Sequence, residues 1–281
     1  MQPPKQNNFQ RTFALLGFGG FGPQNILFSF CGGFAATKGE QRKSMTLVIA
    51  HRGASAYAPE NTLAAFALAA DQGADMAELD VQVTADGAVV VFHDDTTERW
   101  NGVPRAVAAC TLAELQRVDL RGERAPLLVE VCVLARERGL RLNIELKAAG
   151  IGAEVVRIVH EQRAGDLVLF SSFSPRALAE LAAAAPSLPR AYLMGTRSYR
   201  PDVRLRELWP LPALSALDCA AWHPSHELPL LDQIIPHVRR RRYQVNVWTV
   251  NAPSRMHELL ALGVDGIITD MPDVLRALVD T

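Results

Sequence analysis

The sequence predicts an α/β protein of the (β/α)₈-barrel class, and three observations support this. From Met45 onward, short β-branched apolar runs alternate with longer Ala- and Leu-rich amphipathic stretches. That alternation marks βα units around a parallel sheet. The 281 residues suffice for one barrel, which takes about 250. The first apolar run leads into His51-Arg52-Gly53 and not into a Gly-x-Gly-x-x-Gly loop. The competing architecture, an open doubly wound sheet, usually carries that loop after its first strand.

Taken in order, strands are expected near Leu47–His51, Met76–Val81 and Val89–His93, where apolar residues run between turn-forming ones. Asp86-Gly87, between the second and third of these, is a hairpin signal, so the third strand returns beside the second. Further strands are expected near Leu140–Leu146, Leu167–Phe170, Arg190–Leu193, Ala216–Cys219, Gln244–Thr249 and Gly266–Thr269. Helices fit Thr62–Gln72, Leu127–Glu137, Ala153–Gln162, Pro175–Ala184, Leu231–Arg241, Ser254–Leu262 and Asp273–Val279, with a weaker one over Tyr199–Pro210. Gly73, Gly139 and Gly263 follow helices, where a left-handed residue ends the last turn. Pro272 opens the last helix, as proline does at a first helical position. Thr96–Pro126 reads as an irregular insertion with a short helix at Thr111–Val118. Asn61 and Asp270 stand where they could cap the helices that follow them.

The net charge is −1, and the only basic run, Arg239–Arg242, reads as the solvated end of a helix. Nucleic acid is therefore not an expected partner. The four cysteines form no Cys-x-x-Cys pair, which favours a reducing, cytoplasmic setting. Residues 1–45 differ from the rest, with Phe13–Thr37 uncharged, Phe- and Gly-rich and broken at Pro23-Gln24-Asn25. No unbroken apolar stretch remains for a signal or a membrane span. The segment reads as a disordered extension ahead of a natural start at Met45, with a degenerate export or membrane signal as the other reading. Residues 46–281 then form the barrel domain.

In a barrel, active residues sit at the C-terminal strand ends, and the polar residues cluster there. Glu78 and Asp80 are two apart, so both side chains leave one face of a strand, and Glu145 and Lys147 repeat the pattern. Three inward acids cannot all stay ionised without a counter-charge. Glu78, Asp80 and Glu145 are therefore candidate ligands of one divalent cation, Mg²⁺ or Ca²⁺, both of which take oxygen donors. A structural network with Arg52 and Lys147 is the alternative. Arg52 and Lys147 would suit phosphate oxygens. His51 and His93 are the histidines at expected strand ends near the acids, and imidazole can accept and donate a proton near neutrality. His160, His237 and His257 fall in helical patterns, and His223 and His226 in a Pro-containing loop. Trp248 and Phe173 each fit a pocket wall or a core position equally well.

These residues fall in ordered motifs: His51-Arg52-Gly53, Pro59-Glu60-Asn61-Thr62, Glu78-Leu79-Asp80-Val81, Thr84-Ala85-Asp86-Gly87 and Val91-Phe92-His93-Asp94. They continue through Asn143-Ile144-Glu145-Leu146-Lys147, Ser171-Ser172-Phe173, Val247-Trp248-Thr249-Val250-Asn251 and Asp265-Gly266-Ile267-Ile268-Thr269-Asp270. Together they resemble the glycerophosphodiester phosphodiesterase family over about Leu47–Leu278. The resemblance implies a TIM (β/α)₈ barrel with a small insertion after the second strand. It implies His51 and His93 as the acid/base pair, Glu78, Asp80 and Glu145 around Mg²⁺ or Ca²⁺, and Arg52 and Lys147 on phosphate. The reaction it implies is cleavage of a glycerophosphodiester to sn-glycerol 3-phosphate and an alcohol. One departure stands out: Pro126-Leu127-Leu128-Val129-Glu130 lacks the family's threonine, which weakens the expected helix cap.

The expected partner is a small-molecule glycerophosphodiester, with no membrane contact and no indication of oligomeric state. Two other readings use the same residues. A lysophospholipase D acting on membrane lysolipids would need an apolar approach surface. A catalytically silent barrel that binds a phosphodiester would not need both histidines and all three acids.

Overall fold

The computed structural model describes residues 46–195 and 200–281. The expectations for residues 1–45 lie outside the described residues. Eight parallel strands close a barrel: β1 (Leu47–His51), β2 (Met76–Val83), β4 (Arg141–Leu146), β5 (Val168–Ser172), β6 (Arg190–Met194), β7 (Ala221–Pro224), β8 (Gln244–Val247) and β9 (Gly266–Thr269). Pairing of β1 with both β9 and β2 completes the ring. Because both faces of each strand are covered, the strands read as nearly continuous apolar runs. The outward side chains pack on the helices, as Leu79, Leu142, Phe170 and Trp222 do. Inside the barrel, Ile49, Met76, Leu169, Ala191, Ala221 and Ile268 form a smaller apolar plug. Gly266 belongs to this tight interior, where a Cβ would meet Asn246 Oδ1 at 2.5 Å and Ile49 Cδ1 at 2.9 Å.

The expected hairpin is present. The strand β3 (Val89–Val91) runs antiparallel to β2, with Val81 opposite Val91 and Val83 opposite Val89. β1 pairs the first half of β2, through Met76, Ala77 and Glu78. β3 therefore extends the same edge upward and raises His93 to the barrel's rim. The insertion that follows is better ordered than the sequence suggested. Val90, Phe92, Val107, Cys110, Leu115, Val118, Leu120 and Ala125 give it a core of its own. Its short helix spans Leu112–Leu115, closed by a reciprocal capping box between Thr111 and Glu114, and a further turn of helix covers Glu98–Asn101.

Most expected elements are observed within a few residues, but one strand is not. Ala216 ends a short helix, Leu211–Ala216, and Asp218 takes a left-handed conformation at φ 49°. The strand is Ala221–Pro224. Its Trp-His-Pro run carries little β-branched signal, and the proline closes the strand without disturbing pairing with Met194. This correction takes His223 out of the supposed loop and into the barrel wall. The weakened cap is observed as expected: Leu127 makes no side-chain cap bond. Glu130 Oε2 still accepts from the Leu127 amide at 2.8 Å. The Arg239–Arg242 run does close a helix, Leu231–Arg240. Arg239 is additionally tied to Asp265 through Nε at 3.1 Å. No helix among the described residues is long and apolar enough to cross a membrane.

Candidate active site

Strand register builds the site. β1 places His51 beside Glu78 on β2. β2 places Glu78 beside Asn143, and Asp80 beside Glu145, on β4. Period-two alternation then aims Glu78, Asp80, Asn143 and Glu145 at the barrel axis. Above them opens a cavity of about 220 Å³ lined by His51, Arg52, Glu78, His93, Asn143, Glu145, Lys147, Phe173, Leu193, Trp248 and Ile268. Eight of the nine residues singled out from the sequence line this cavity, and the ninth, Asp80, lies beneath it at 1% exposure.

One oxygen from each of Glu78, Asp80 and Glu145 lies within 4.8 Å of the others. Oxygens sharing a cation at about 2.0–2.6 Å can be no more than about 4–5 Å apart, so this donor set fits a hard divalent ion. Electrostatics agree. Burial pushes the Glu78 carboxyl well above its usual range, and the charges of Asp80 and Glu145 add to the shift. Burial and the Asp80 charge push Glu145 up to about 7. Asp80 is the exception. Burial opposes its ionisation, but Arg52, Lys147, His93 and the Asn61 amide outweigh burial and hold it below the usual range. A carboxylate cluster in which two members resist ionisation is one that a cation would stabilise.

Asn61 does not cap its helix, since Thr62 does, accepting from the Ala65 amide. With φ at 58°, Asn61 turns back over the cluster. Its Nδ2 donates to Asp80 Oδ2 at 2.9 Å, and its Oδ1 accepts from the Asp80 amide at 3.2 Å. The neighbouring Arg52 is also left-handed, at φ 55°. Its amide donates to Glu78 Oε2 at 3.0 Å, and its guanidinium reaches Glu60 at 2.9 Å and Asp80 at 3.2 Å. Gly53 follows at φ 83°, where a Cβ would fall 2.6 Å from Ala65. Lys147 Nζ lies 3.0 Å from Glu145 and 3.4 Å from Asp80. Two cations thus stand at the cavity and share Asp80.

Each cavity histidine has its own carboxylate. His51 Nδ1 is 2.7 Å from Asp270 Oδ1. Asp270 follows β9, the strand next to β1, and it also accepts from Asn251 Nδ2 at 2.5 Å, with Ser55 Oγ 2.9 Å away. Burial works against its ionisation, yet the bonds from His51, Asn251 and Ser55 hold it at about 2. Asp270 therefore does not cap the last helix, whose N-cap Met271 makes no side-chain bond. His93 Nδ1 is 2.9 Å from Asp94 Oδ1, and Asp94 is held by Arg99 Nε at 2.6 Å. Arg99 also binds Glu60, which completes a chain of ion pairs running back to Arg52. Burial, with the Arg52 and Lys147 charges, keeps His93 below its usual value despite Asp80 and Asp94. A carboxylate can only accept, so each pairing puts a proton on Nδ1 and leaves Nε2 as the working nitrogen.

Trp248 and Phe173 meet edge to face with ring centroids 5.5 Å apart. Both line the cavity. Trp248 is fixed by its Nε1, which donates to the His223 carbonyl at 2.8 Å. His223 itself is fully buried, and burial drives its ring to about 3. It is a neutral wall residue bonded to Asn246, not a ligand contact.

The sequence pattern puts Asp94 at a strand end beside His93 but assigns no role to it, nor to Arg99, Glu60 or Asn143, and it offers Asp270 and Asn61 as helix caps, which the structure corrects. Asn143 is fully buried, faces the cavity, and has no partner for either amide atom. Its position two residues before Glu145 was the available signal.

Residues 51–274 match the Glycerophosphoryl diester phosphodiesterase family. A glycerophosphodiester phosphodiesterase from Caldanaerobacter subterraneus is 34% identical over 247 residues, covering 83% of this chain and 98% of that one. One from Bacillus altitudinis is 33% identical over 244 residues, covering 82% and 96%. Among solved structures, an Oleispira antarctica phosphodiesterase in complex with the product sn-glycerol-3-phosphate aligns with a TM-score of 0.72 at 31% identity, covering 84% of this chain and 98% of that one. A glycerophosphodiester phosphodiesterase from Agrobacterium tumefaciens aligns with a TM-score of 0.69 at 27% identity, covering 83% and 100%.

Proposed function

The chain belongs to the glycerophosphoryl diester phosphodiesterase family, and from that premise we propose that His51 and His93 catalyse cleavage of a glycerophosphodiester to sn-glycerol 3-phosphate and an alcohol, with Glu78, Asp80 and Glu145 holding a divalent cation. The observation that carries this reading is convergence. Two imidazoles, each oriented by its own carboxylate, open onto the cavity that contains the acid cluster. The activity resides in residues 46–281.

Arg52 and Lys147 bind the non-bridging phosphate oxygens and neutralise charge that builds up as phosphorus is attacked in line. A bound divalent ion would supply further positive charge at the same oxygens and would make the acid cluster's ionisation favourable. The nucleophile is water, which gives glycerol 3-phosphate directly, or the substrate's own glycerol hydroxyl, which expels the alcohol and leaves a cyclic glycerol phosphate that a water must then open to glycerol 3-phosphate. His93 Nε2 accepts the nucleophile's proton, which burial favours by keeping the ring neutral at physiological pH. His51 Nε2 donates a proton to the leaving alkoxide, and Asp270 stabilises the imidazolium that gives it. Trp248 and Phe173 shield the cavity wall from water.

Support for the substrate comes from the Oleispira neighbour, which holds sn-glycerol-3-phosphate. The test follows glycerol 3-phosphate release from glycerophosphoethanolamine with Mg²⁺ or Ca²⁺ supplied. Wild type should turn over, and His51→Ala and His93→Ala should not. Full activity in either variant, or none in wild type, refutes the reading.

A further inference from the structure

Asn143 stands out among the described residues that line the catalytic cavity. Its Nδ2 and Oδ1 are both buried, and neither has a hydrogen-bond partner. Every other polar side chain on that lining makes at least one bond. Strand register explains why no partner is at hand. Asn143 lies between Glu78 on β2 and Leu169 on β5. Leu169 has nothing to offer, and Glu78 Oε2 is taken by the Arg52 amide. Asparagine is also depleted in strands, and within β4 it has no turn or cap to serve. A buried amide with neither atom paired is costly, and such a group calls for a ligand or an ordered water to complete it.

The position of Asn143 limits what that partner can be. It stands two residues before Glu145 on β4, one inward step of about 6.6 Å towards the barrel floor. Lys147, a proposed phosphate ligand, lies on Glu145 at the upper level. A group bonded to Asn143 therefore sits below the phosphate and above the apolar plug that contains Leu169 and Ile268. The carboxamide asks for an acceptor and a donor together, and a hydroxyl is both. A quaternary ammonium or a hydrocarbon is neither. In a glycerophosphodiester the glycerol arm carries free hydroxyl oxygen whatever the other alcohol is, and one such hydroxyl is on the carbon next to the phosphoester carbon.

We propose that Asn143 binds the free hydroxyl of the glycerol arm, with Oδ1 accepting from it and Nδ2 donating to a hydroxyl oxygen. The residue thereby selects which arm of the diester points to the barrel floor and which leaves as the alcohol. This deepens the proposed function and rests on it. Asn143 is a specificity residue and carries no proton in the reaction.

The experiment measures binding of sn-glycerol 3-phosphate and of propyl phosphate, its analogue without hydroxyls, by calorimetry with Mg²⁺ present. The full chain is compared with Asn143→Leu, which removes both amide atoms at similar volume. Mg²⁺ affinity, choline release from glycerophosphocholine and the ligand-free melting temperature are measured alongside. Wild type should bind glycerol 3-phosphate more tightly than propyl phosphate. Asn143→Leu should lower that ratio by about tenfold, the scale of one or two neutral hydrogen bonds, and leave propyl phosphate and Mg²⁺ affinity unchanged. Its melting temperature should hold or rise, because an unpaired buried amide has gone. Should the leucine variant not fold, Asn143→Ser is read by the same ratio. A folded leucine variant with a lower melting temperature shows that the ligand-free fold already uses the amide, through the protein or a water, and overturns the assignment. Equal loss for both ligands, or a ratio that does not move, overturns it as well. Loss of Mg²⁺ affinity gives the amide oxygen to the cation and overturns the hydroxyl role. In each of these cases choline release by wild type leaves the family reaction standing. No choline release by wild type removes the underlying reading and this inference with it.

Discussion

The two histidine–carboxylate pairs sit in one cavity but are built in opposite ways. His51 draws its carboxylate from across the barrel seam. Asp270 lies 219 positions away in sequence, is brought alongside by β1–β9 pairing, and is held by Asn251 with Ser55 close by. His93 uses the next residue in the chain. Asp94 is held by Arg99, an insertion residue whose side chain is 47% exposed. The first pair is part of barrel closure. The second belongs to an appended rim, fastened to the barrel by Arg52–Glu60–Arg99. The lesson is that equal chemical groups can differ in how firmly they are held, and that firmness follows from the elements that carry them.

The largest effect tests whether the two rings are equally needed. His51→Ala and His93→Ala should each lower kcat by about 10²–10⁴, measured as glycerol 3-phosphate release. A large loss in only one variant would leave one proton-transfer role unfilled by the rings named here. Next come the carboxylates, where the pairs should diverge. Replacing a charge-assisted bond of roughly 1.5–3 kcal/mol by a neutral one, Asp270→Asn should cost about 10- to 100-fold in kcat/KM. Asp94→Asn, on the looser rim, should cost about three- to tenfold. Equal losses would erase the distinction. The pH profile sharpens it further. Because Asp94 raises the His93 pKa, Asp94→Asn should move the acidic limb of kcat/KM to lower pH. A limb that stays put would mean that His93 is not the base.

Between the pairs lies the acid cluster, and it should respond to metal removal. With Glu145 at about 7 and Glu78 also raised, the chelated protein is unpenalised at pH values where both carboxyls keep their protons. The penalty grows as pH rises from the ordinary carboxylate value of 4.5 to about 7 and stays above that. Melting temperature in chelator should fall across this window, and a divalent ion at a hundred times its Kd should restore about 2.7 kcal/mol. Identical melting curves with and without the ion would remove the cluster as a metal site. Asp270 works in a different window, because its contribution is lost only as pH falls from 3.8 to about 2. The smallest effect belongs to Arg99→Ala. An exposed ion pair is worth at most about 1 kcal/mol, so kcat/KM should drop by no more than about fivefold.

Much of this cavity was legible before any coordinates. Strand alternation tells which residues share a face, so Glu78 with Asp80, and Glu145 with Lys147, could be read as pairs from spacing alone. Barrel class then put them at one end. Less legible were residues whose role depends on a partner from another element. Asn61 and Asp270 both precede helices, so local chemistry offered a cap. The close approach of Asp80 and His51 instead gave their side chains stronger bonds. The strand β7 was misplaced because Trp222, His223 and Pro224 are strand residues by context and not by propensity.

What the sequence determined by itself was local and periodic: the order of strands and helices, the hairpin at Asp86-Gly87, and the inward direction of the acids. Those follow from backbone geometry that each short segment carries within it. What only the tertiary structure decided was pairing across the ring, including Asp270 with His51, Asn61 with Asp80, and Arg99 with both Glu60 and Asp94. Such pairs depend on register and closure, which set distances between positions that no spacing along the chain encodes.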